Sequence, residues 1–264
     1  MTKLRSGLAG LALAGMATAA YAGVSYTPAI GSDYDFRGIT QTANDPALSL
    51  GVDYYTGPVH LGLWTSNIHF DPFKTSSKLF GSAHTEVDFV ADYSGGDDKT
   101  FKYNFGFVDY TYPGQSILDY PEIWGTISKG WFSTTLHYSW DFFGGNYPAS
   151  SNSSAYYVEV NGTWPLGSGG FALTAHAGHS WGDFWNNPLQ FYAAYAAGPY
   201  SDYSLGVTKS FGHFNAALKY TDTSSYYDGN GYDKKQTKGY PNEDVFSGKG
   251  KAMLSISTTL PWTN

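Results

Sequence analysis

Hydrophobic and polar residues alternate along most of this sequence with the two-residue period of β-strands. In the segment FSTTLHYSWDFF, residues 132–143, the side chains of Phe132, Leu136 and Trp140 share one parity, whereas His137 lies on the other among Ser, Thr and Asp. Successive side chains of a strand point to opposite faces, so this segment predicts a strand with one apolar and one polar face. The apolar face could meet a protein core or lipid, and the function depends on which.

The same alternation predicts twelve strands. Their predicted bounds are 24–37, 48–56, 59–69, 85–94, 101–112, 122–129, 132–143, 156–164, 171–181, 203–211, 214–222 and 251–260. Short connections alternate with long ones along the chain, which places all tight turns at one end of an up-and-down sheet. Outer-membrane barrels sort their connections in this way. Residues 189–197 could form a further strand, but an odd number would break the alternation, so we assign them to a long loop.

The apolar faces carry no charge at mid-strand, as at Val160, Leu205 and Leu254, whereas Tyr and Trp collect near the strand ends. Amphipathic rings at both membrane interfaces are typical of outer-membrane barrels. The predicted girdle residues are Tyr26, Tyr54, Tyr93, Trp164, Trp181, Tyr203, Tyr220 and Trp262. The predicted fold is therefore all-β, a transmembrane antiparallel up-and-down β-barrel of about 12 strands. A soluble barrel with an apolar ligand cavity is the alternative.

Composition agrees with a secreted barrel. Aromatic residues make up 18% of the chain and charged residues only 14%, below the ~25% usual for soluble domains. Residues 1–22 predict a secretory signal peptide, because Lys3 and Arg5 precede a short apolar run and residues 20–22 fit a small-x-small cleavage site. Residues 23–264 are then the barrel domain. The chain has no cysteine, so a closed sheet has to supply the rigidity that disulfides often give secreted proteins.

The mature chain is acidic. Cleavage removes two of the 15 basic residues and leaves 13 against 22 acidic ones, a net charge of −9. This balance disfavours nucleic acid as a partner and favours cations over anions.

The polar faces carry many charged residues that a dry core could not hold, because desolvation of unpaired charges is costly. The predicted lumen and solute-pathway residues are Asp33, Asp35, Arg37, Asp53, Glu86, Asp88, Asp92, Lys102, His137, Asp141, Glu159, His176 and Lys219. We predict a wet or salt-bridged lumen. Arg37, placed by the pattern on the first strand, either sets a transverse field for a solute or forms a structural ion pair. The acidic residues either line a cation pathway or pair with Lys102 and Lys219.

Six segments resemble a known family. They are DYDFRGITQT at 33–42, PAL at 46–48, LWTSNIHF at 63–70, EVD at 86–88, YTYPG at 110–114 and EIW at 122–124. In this order they resemble the TorF-type family of outer-membrane porins, a bacterial family of unknown function. The resemblance covers residues 33–124 and implies an outer-membrane barrel with a pore. It implies no catalytic residues.

One motif suggests chemistry, but its geometry is wrong for it. GHSWG at 178–182 matches G-x-S-x-G, yet His179 and Ser180 are consecutive on a predicted strand and point to opposite faces. We therefore expect no enzyme, no cofactor and no metal site. Four acidic residues of the last loop could bind surface divalent cations: Asp228, Asp233, Glu243 and Asp244.

These observations predict an outer-membrane porin that allows passive diffusion of small hydrophilic solutes with a mild preference for cations. Its expected partners are outer-membrane lipid and small hydrophilic solutes or cations. Eight-stranded barrels are filled by side chains and sixteen-stranded ones enclose water, and twelve lies between. A narrow, plugged barrel with a structural or surface-interaction role is therefore the alternative. An outer-membrane lipid hydrolase that uses Ser180 is a further one.

Overall fold

The structure is a computed structural model. It describes residues 23–70, 82–143, 153–186, 198–224 and 247–262. The predicted signal peptide, the candidate strand at 189–197 and the four acidic residues of the last loop lie outside the described residues. In the described part of the chain, no helix is long and apolar enough to cross a membrane.

The described residues form fourteen strands, of which twelve close a barrel and two form a separate hairpin. The barrel strands are β1 (Gly23–Gly31), β4 (Ala47–Thr56), β5 (Val59–Phe70), β6 (Ala83–Gly96), β7 (Lys102–Thr111), β8 (Tyr120–Lys129), β9 (Phe132–Ser139), β10 (Ala155–Leu166), β11 (Phe171–Trp181), β12 (Tyr200–Phe211), β13 (Phe214–Ser224) and β14 (Lys251–Thr258). The hairpin pairs β2 (Asp35–Phe36) with β3 (Ile39–Thr40). A 3-10 turn (Ser116–Leu118) and one helical turn, α1 (Asp183–Asn186), complete the described elements.

Every barrel strand pairs antiparallel with its neighbours along the chain, and β1 closes the sheet against β14. At this seam residues 29–31 pair with residues 255–257, and Tyr26 forms a further bridge to Leu260. Closure leaves no free sheet edge, so every strand has two neighbours for its backbone hydrogen bonds. The predicted twelve-stranded up-and-down barrel is confirmed.

Three of the predicted tight turns contain only two residues. Each begins with a glycine at positive φ, which is 57° at Gly57, 61° at Gly130 and 54° at Gly212. A glycine with positive φ at the first central position is typical of type II′ hairpin turns, whose twist matches the flanking strands. All tight turns lie at one end, the short-turn end, and the long connections lie at the other, the long-loop end.

The first predicted strand is too long. It was expected over residues 24–37, but β1 ends at Gly31, and the chain turns away from the sheet. Arg37 has a φ of 53°, which a strand cannot contain. The alternation of Asp33 to Arg37 therefore belongs to a buried hairpin and not to the barrel wall.

The seventh predicted strand is also too long. It was expected over residues 132–143, but β9 ends at Ser139, and Phe143 has a φ of 49°. Phe142 is buried, and its ring lies 4.8 Å from that of Phe184 in an aromatic cluster at the long-loop end. Burial of these rings outweighs two further ladder pairs of an extended strand.

The outer surface of the barrel is apolar. Large hydrophobic side chains that alternate along the strands are exposed, for example Phe105, Leu205 and Leu218, each at 57–58%. A soluble protein rarely exposes contiguous apolar area beyond a few hundred Å². Asp109 shares this face with Phe107, toward the long-loop end of β7.

Candidate functional site: the lumen and its inward hairpin

The connection between β1 and β4 enters the barrel. Gly31 pairs directly with Ala47, so the intervening residues leave the wall and return to it at one point. Residues 33–42, the inward hairpin, contain the β2–β3 pair and are largely buried, with Thr40 and Thr42 fully so. Because β1 and β4 are already paired at Gly31 and Ala47, the barrel wall does not need this connection to enter the lumen. Side-chain contacts must therefore hold the inward hairpin inside the barrel.

Three ion pairs join the inward hairpin to the barrel wall. Two of the wall partners are lysines on the adjacent strands β13 and β14, and the third is a glutamate on β8, which lies on the opposite side of the barrel. The pairs are Asp33 with Lys251 at 2.5 Å, Asp35 with Lys219 at 2.8 Å and Arg37 with Glu122 at 2.7 Å. Contacts to such distant strands place the hairpin across the lumen.

The hairpin is also braced internally and against β6. The hydroxyls of Thr40 and Thr42 both donate to Oδ1 of Asp33 at 2.6 Å. The Tyr34 hydroxyl donates to Oε1 of Glu86 at 3.1 Å. Burial raises the pKa of Tyr34 well above its ordinary value, and the nearby Glu86 carboxylate raises it further, so the phenol keeps its proton and remains a donor.

Arg37 anchors the tip of the hairpin. Its guanidinium lies 4.2 Å from the ring centroid of Tyr157 and 4.7 Å from that of Phe36, and its Nη2 donates to both carboxylate oxygens of Glu122 at 2.7 Å. The Tyr200 hydroxyl donates to the Arg37 carbonyl oxygen at 3.1 Å. Burial alone would lower the pKa of Arg37, but the Glu122 carboxylate outweighs it and raises the pKa above its ordinary value. Arg37 therefore stays charged and links the hairpin to the barrel wall.

Gly38 follows Arg37 because no other residue fits there. Its φ is 83°, and a Cβ at this position would lie 2.5 Å from Thr223 Cγ2 and 2.7 Å from Asp202 Cβ. The hairpin tip thus touches β12 and β13 with its backbone.

A belt of alternating acids and histidines continues from Glu122 across five adjacent strands. His137 on β9 lies between Glu122 at 2.8 Å and Glu159 at 3.4 Å, and His176 on β11 lies between Glu159 at 3.4 Å and Asp202 at 2.6 Å. Each protonated imidazole can donate to a carboxylate on either side, so the two histidines offset part of the charge of the three carboxylates and fix the inner wall.

A second acid–histidine cluster lies nearer the short-turn end. His60 Nε2 is 3.0 Å from Asp53, and His60 Nδ1 is 2.6 Å from Asp92. The Asn104 amide donates to Asp92 at 2.7 Å, and the Tyr55 ring stacks on the imidazole at 4.5 Å. Asp53 and Asp92 are therefore bound to each other through His60.

Partly exposed inner residues are commoner on one side of the lumen than on the other, although Ser180, Asp202 and Thr221 on that side are buried at the level of the hairpin. The sealed side comprises the inner faces of β6–β9, and the open side comprises those of β11–β14. Buried inner residues of the sealed side are Glu86, Asp88, Val108, Tyr110, Tyr120, Glu122, Thr126, Thr135 and His137. Partly exposed inner residues of the open side are Thr174, His176, Ser204, Thr208, Ala217, Lys219, Met253, Ser255 and Ser257.

A cavity of about 100 Å³ separates the hairpin from the wall between β9 and β13. Arg37 and Lys219 contribute positive charge to its lining, Glu159 and Asp202 contribute negative charge, and Ser204 contributes a hydroxyl. A solute in this cavity would meet both hydrogen-bond donors and acceptors.

The structure brings twelve of the thirteen predicted lumen residues to the hairpin or the inner wall. One of them, Lys102, lies at the short-turn end, where it pairs with Asp98 in the adjacent turn at 2.5 Å. Asp141 lies beyond β9 in a turn, not on a strand as expected, and accepts a hydrogen bond from the Ser153 hydroxyl at 2.9 Å. The role of the set as a solute pathway stays a prediction.

Four acidic, basic or histidine residues of the lumen were not predicted from the sequence. Glu122 and Lys251 open predicted strands and Asp202 lies one residue before one, where boundaries are least certain. His60 shares the parity of Trp64 and Ser66, so its inward orientation was readable from the alternation.

The eight predicted girdle residues all lie on the outside. Tyr26, Tyr54, Tyr93, Trp164 and Trp262 lie toward the short-turn end, and Trp181, Tyr203 and Tyr220 toward the long-loop end. Trp262 stacks on His213 with 4.8 Å between ring centroids. Their role at a membrane interface stays a prediction.

The G-x-S-x-G segment forms no catalytic pair. Ser180 faces inward and is fully buried, whereas His179 faces outward and its Nδ1 is 2.9 Å from the Ser201 hydroxyl. Among the described residues, no group of three or more His, Asp or Glu side chains is arranged to hold a metal ion.

The fold and the lumen define a porin-like transmembrane β-barrel. The chain belongs to the Gcw_chp family, described as bacterial protein of unknown function, whose model matches residues 16–259. That description carries no porin designation, so the TorF-type resemblance stays an interpretation. No curated protein matches the sequence.

Solved structures share the barrel at low sequence identity. The NanC porin is 9% identical with a TM-score of 0.53, over 91% of this chain and 100% of that one. The KdgM porin is 8% identical with a TM-score of 0.45, over 91% and 99%. LpxR from Salmonella typhimurium is 8% identical with a TM-score of 0.39, over 90% and 100%. The NanC similarity supports the fold, and the two lower scores add nothing to it.

Proposed function

We propose that this chain is an outer-membrane porin through which small hydrophilic solutes diffuse passively. The observation that carries the proposal is a closed barrel with an apolar exterior and a partly exposed polar inner face along β11–β14. Similarity to the NanC porin supports the same class. The predicted signal peptide at residues 1–22 and the two levels of outward Tyr and Trp side chains support export to an outer membrane of the Gram-negative type.

We further propose that the pore prefers cations mildly and performs no catalysis. Nine carboxylates lie on the inward hairpin or inner wall of the described residues, against four Lys or Arg side chains. The carboxylates belong to Asp33, Asp35, Asp53, Glu86, Asp88, Asp92, Glu122, Glu159 and Asp202. With three histidines that lie between carboxylates also counted as cations, nine carboxyl groups face seven cationic groups, and this small excess is what favours cations.

Single-channel recording tests the porin proposal. Protein refolded in detergent, with folding checked by altered gel mobility of unboiled samples, is added to a planar bilayer in KCl. We expect discrete conductance steps that scale with salt concentration. Absence of steps from folded protein would contradict the porin proposal.

A second candidate function is a plugged barrel with a structural or surface-interaction role. The inward hairpin favours it, because three ion pairs hold the hairpin across the lumen. This candidate predicts a folded barrel that inserts into bilayers but gives no steps, and whose outer loops bind a partner.

A further inference from the structure

We infer that solutes pass this barrel off its axis, between the inward hairpin and the open side, and that the sealed side conducts nothing. This inference rests on the proposed porin function and names the part of the lumen that carries it. The pathway would take small hydrated ions and small uncharged polar molecules.

The first support is the distribution of contacts of the hairpin. Its aromatic side chains pack toward the sealed side, where the Phe36 ring lies 5.8 Å from Tyr110 and the Tyr34 ring lies 5.2 Å from Trp64 on the adjoining β5. Toward the open side the hairpin presents the Asp33 and Asp35 carboxylates, which meet Lys251 and Lys219, and the backbone of Gly38, which contacts β12 and β13. Close apolar packing excludes water, whereas a polar boundary retains it.

The second support is the chemistry of the open side. Its inner residues are small and hydroxylated along much of their length, as at Thr174, Ser204, Thr208, Ser255 and Ser257. Such side chains leave space and offer hydrogen bonds without a fixed charge. On the sealed side the hydroxylated residues Thr126 and Thr135 are hydrogen-bonded to each other and buried, and Tyr110, Tyr120 and Glu122 fill the lumen nearer the long-loop end.

The third support is the size and charge of the cavity at the hairpin. About 100 Å³ is well below the ~300–1,000 Å³ of pockets that hold drug-sized ligands, so large solutes are excluded. Arg37 and Lys219 are each paired with a carboxylate, and the belt histidines lie between carboxylates. A solute therefore meets compensated charges here, which suits neutral polar molecules and partly hydrated ions.

Single-cysteine accessibility tests the inference, because the chain contains no cysteine of its own. Ser204→Cys and Ser255→Cys report the open side. Ser66→Cys, on the hairpin-covered face of β5, and Thr126→Cys report the covered face. Each folded variant is treated with a charged, water-soluble methanethiosulfonate reagent, and modification is followed by mass spectrometry and by conductance.

We expect the two open-side cysteines to react at least about tenfold faster than the two covered ones, which become accessible only by local opening. Modification of the open-side cysteines should also reduce conductance. Equal reaction rates on both faces would overturn the inference, as would block from the covered face alone. If no variant conducts, the porin proposal fails, while the reaction rates still decide which side of the lumen holds water.

Discussion

At the residue scale, the hairpin tip depends on a glycine that tolerates both a strained backbone and close walls. Replacing Gly38 with Ala would put a Cβ 2.5 Å from Thr223 Cγ2 at a φ of 83°. The left-handed conformation costs an alanine about 1–2 kcal/mol, and overpacking adds about 1–3 kcal/mol. We expect Gly38→Ala to lower the thermal unfolding midpoint and to raise conductance, because the hairpin tip is pushed from the wall.

Gly114→Ala is the matched control for this variant. Gly114 has a φ of 87°, but a Cβ there meets nothing within 4 Å. It shares the backbone strain of Gly38→Ala without the clash. If both variants lose the same stability and leave conductance unchanged, the tip does not depend on contact with the wall.

Two buried carboxyl groups of the sealed side should respond differently to loss of charge. Glu122 is paired with Arg37 and His137, whereas neither oxygen of Asp88 has a hydrogen-bond partner among the described residues. Removing one partner of a buried pair typically costs about 3–5 kcal/mol, because the other charge stays buried. We expect Glu122→Gln to destabilise the barrel by an amount of this order.

Asp88→Asn should instead leave the free energy of unfolding unchanged or increase it, since an unpartnered buried carboxylate costs free energy in the native state. Urea unfolding of both variants in the same detergent, followed by tryptophan fluorescence, compares them directly. Similar destabilisation by both substitutions would show that pairing does not decide the effect.

The sequence predicts that these charged residues face the lumen, but it does not predict which residues they contact. Arg37 was expected either as a field-setting group or in an ion pair, and the structure places it in an ion pair with a residue 85 positions away. Alternation within a strand assigns a side chain to a face, but it says nothing of which strand lies opposite. The contacts that form the acid–histidine belt could therefore not be predicted, although His137, Glu159 and His176 are each predicted to lie in the lumen.

At the scale of elements, alternation and turn spacing predicted the twelve barrel strands, and most bounds agree within three residues. The failure at residues 32–37 has a physical cause. Asp33, Tyr34, Asp35 and Phe36 alternate as a strand does, because β2 is extended too. The end of a barrel strand and a two-residue strand inside the lumen show the same alternation of polar and apolar residues. Which of the two forms depends on contacts with residues that are distant in the sequence.

The inward hairpin should be removable without harm to the barrel. Gly31 and Ala47 are register partners, so an Asn-Gly turn can replace residues 32–46 and join β1 to β4 directly. We expect the shortened protein to fold, with altered gel mobility when unboiled, and its single-channel conductance to increase several-fold. Conductance equal to that of the wild type would contradict a constricting role for the hairpin.

At the scale of the whole molecule, the composition of the sequence reflects the outer surface of the barrel and its lumen. Low charge and abundant aromatic residues reflect a barrel exterior that exposes apolar side chains, while carboxyl groups outnumber Lys and Arg side chains on the hairpin and the inner wall. Composition and period thus predicted the barrel. They could not predict that the lumen is divided, because the division depends on one loop folding inward and on its ion pairs to opposite sides of the barrel.

The acidic interior makes ion selectivity the property that tests the molecule as a whole. In a tenfold KCl gradient we expect a reversal potential that reports preference for K⁺ over Cl⁻. The preference should weaken at higher ionic strength, because the Debye length falls from about 10 Å at 0.1 M to about 3 Å at 1 M. Ser255→Lys adds a positive charge to the open side and should shift the reversal potential toward Cl⁻, whereas Ser255→Glu should shift it toward K⁺. Ser168→Lys adds the same charge to an exposed tight turn and should change little. Equal shifts from Ser168→Lys and Ser255→Lys would place the selecting field outside the lumen and contradict selection by its inner wall.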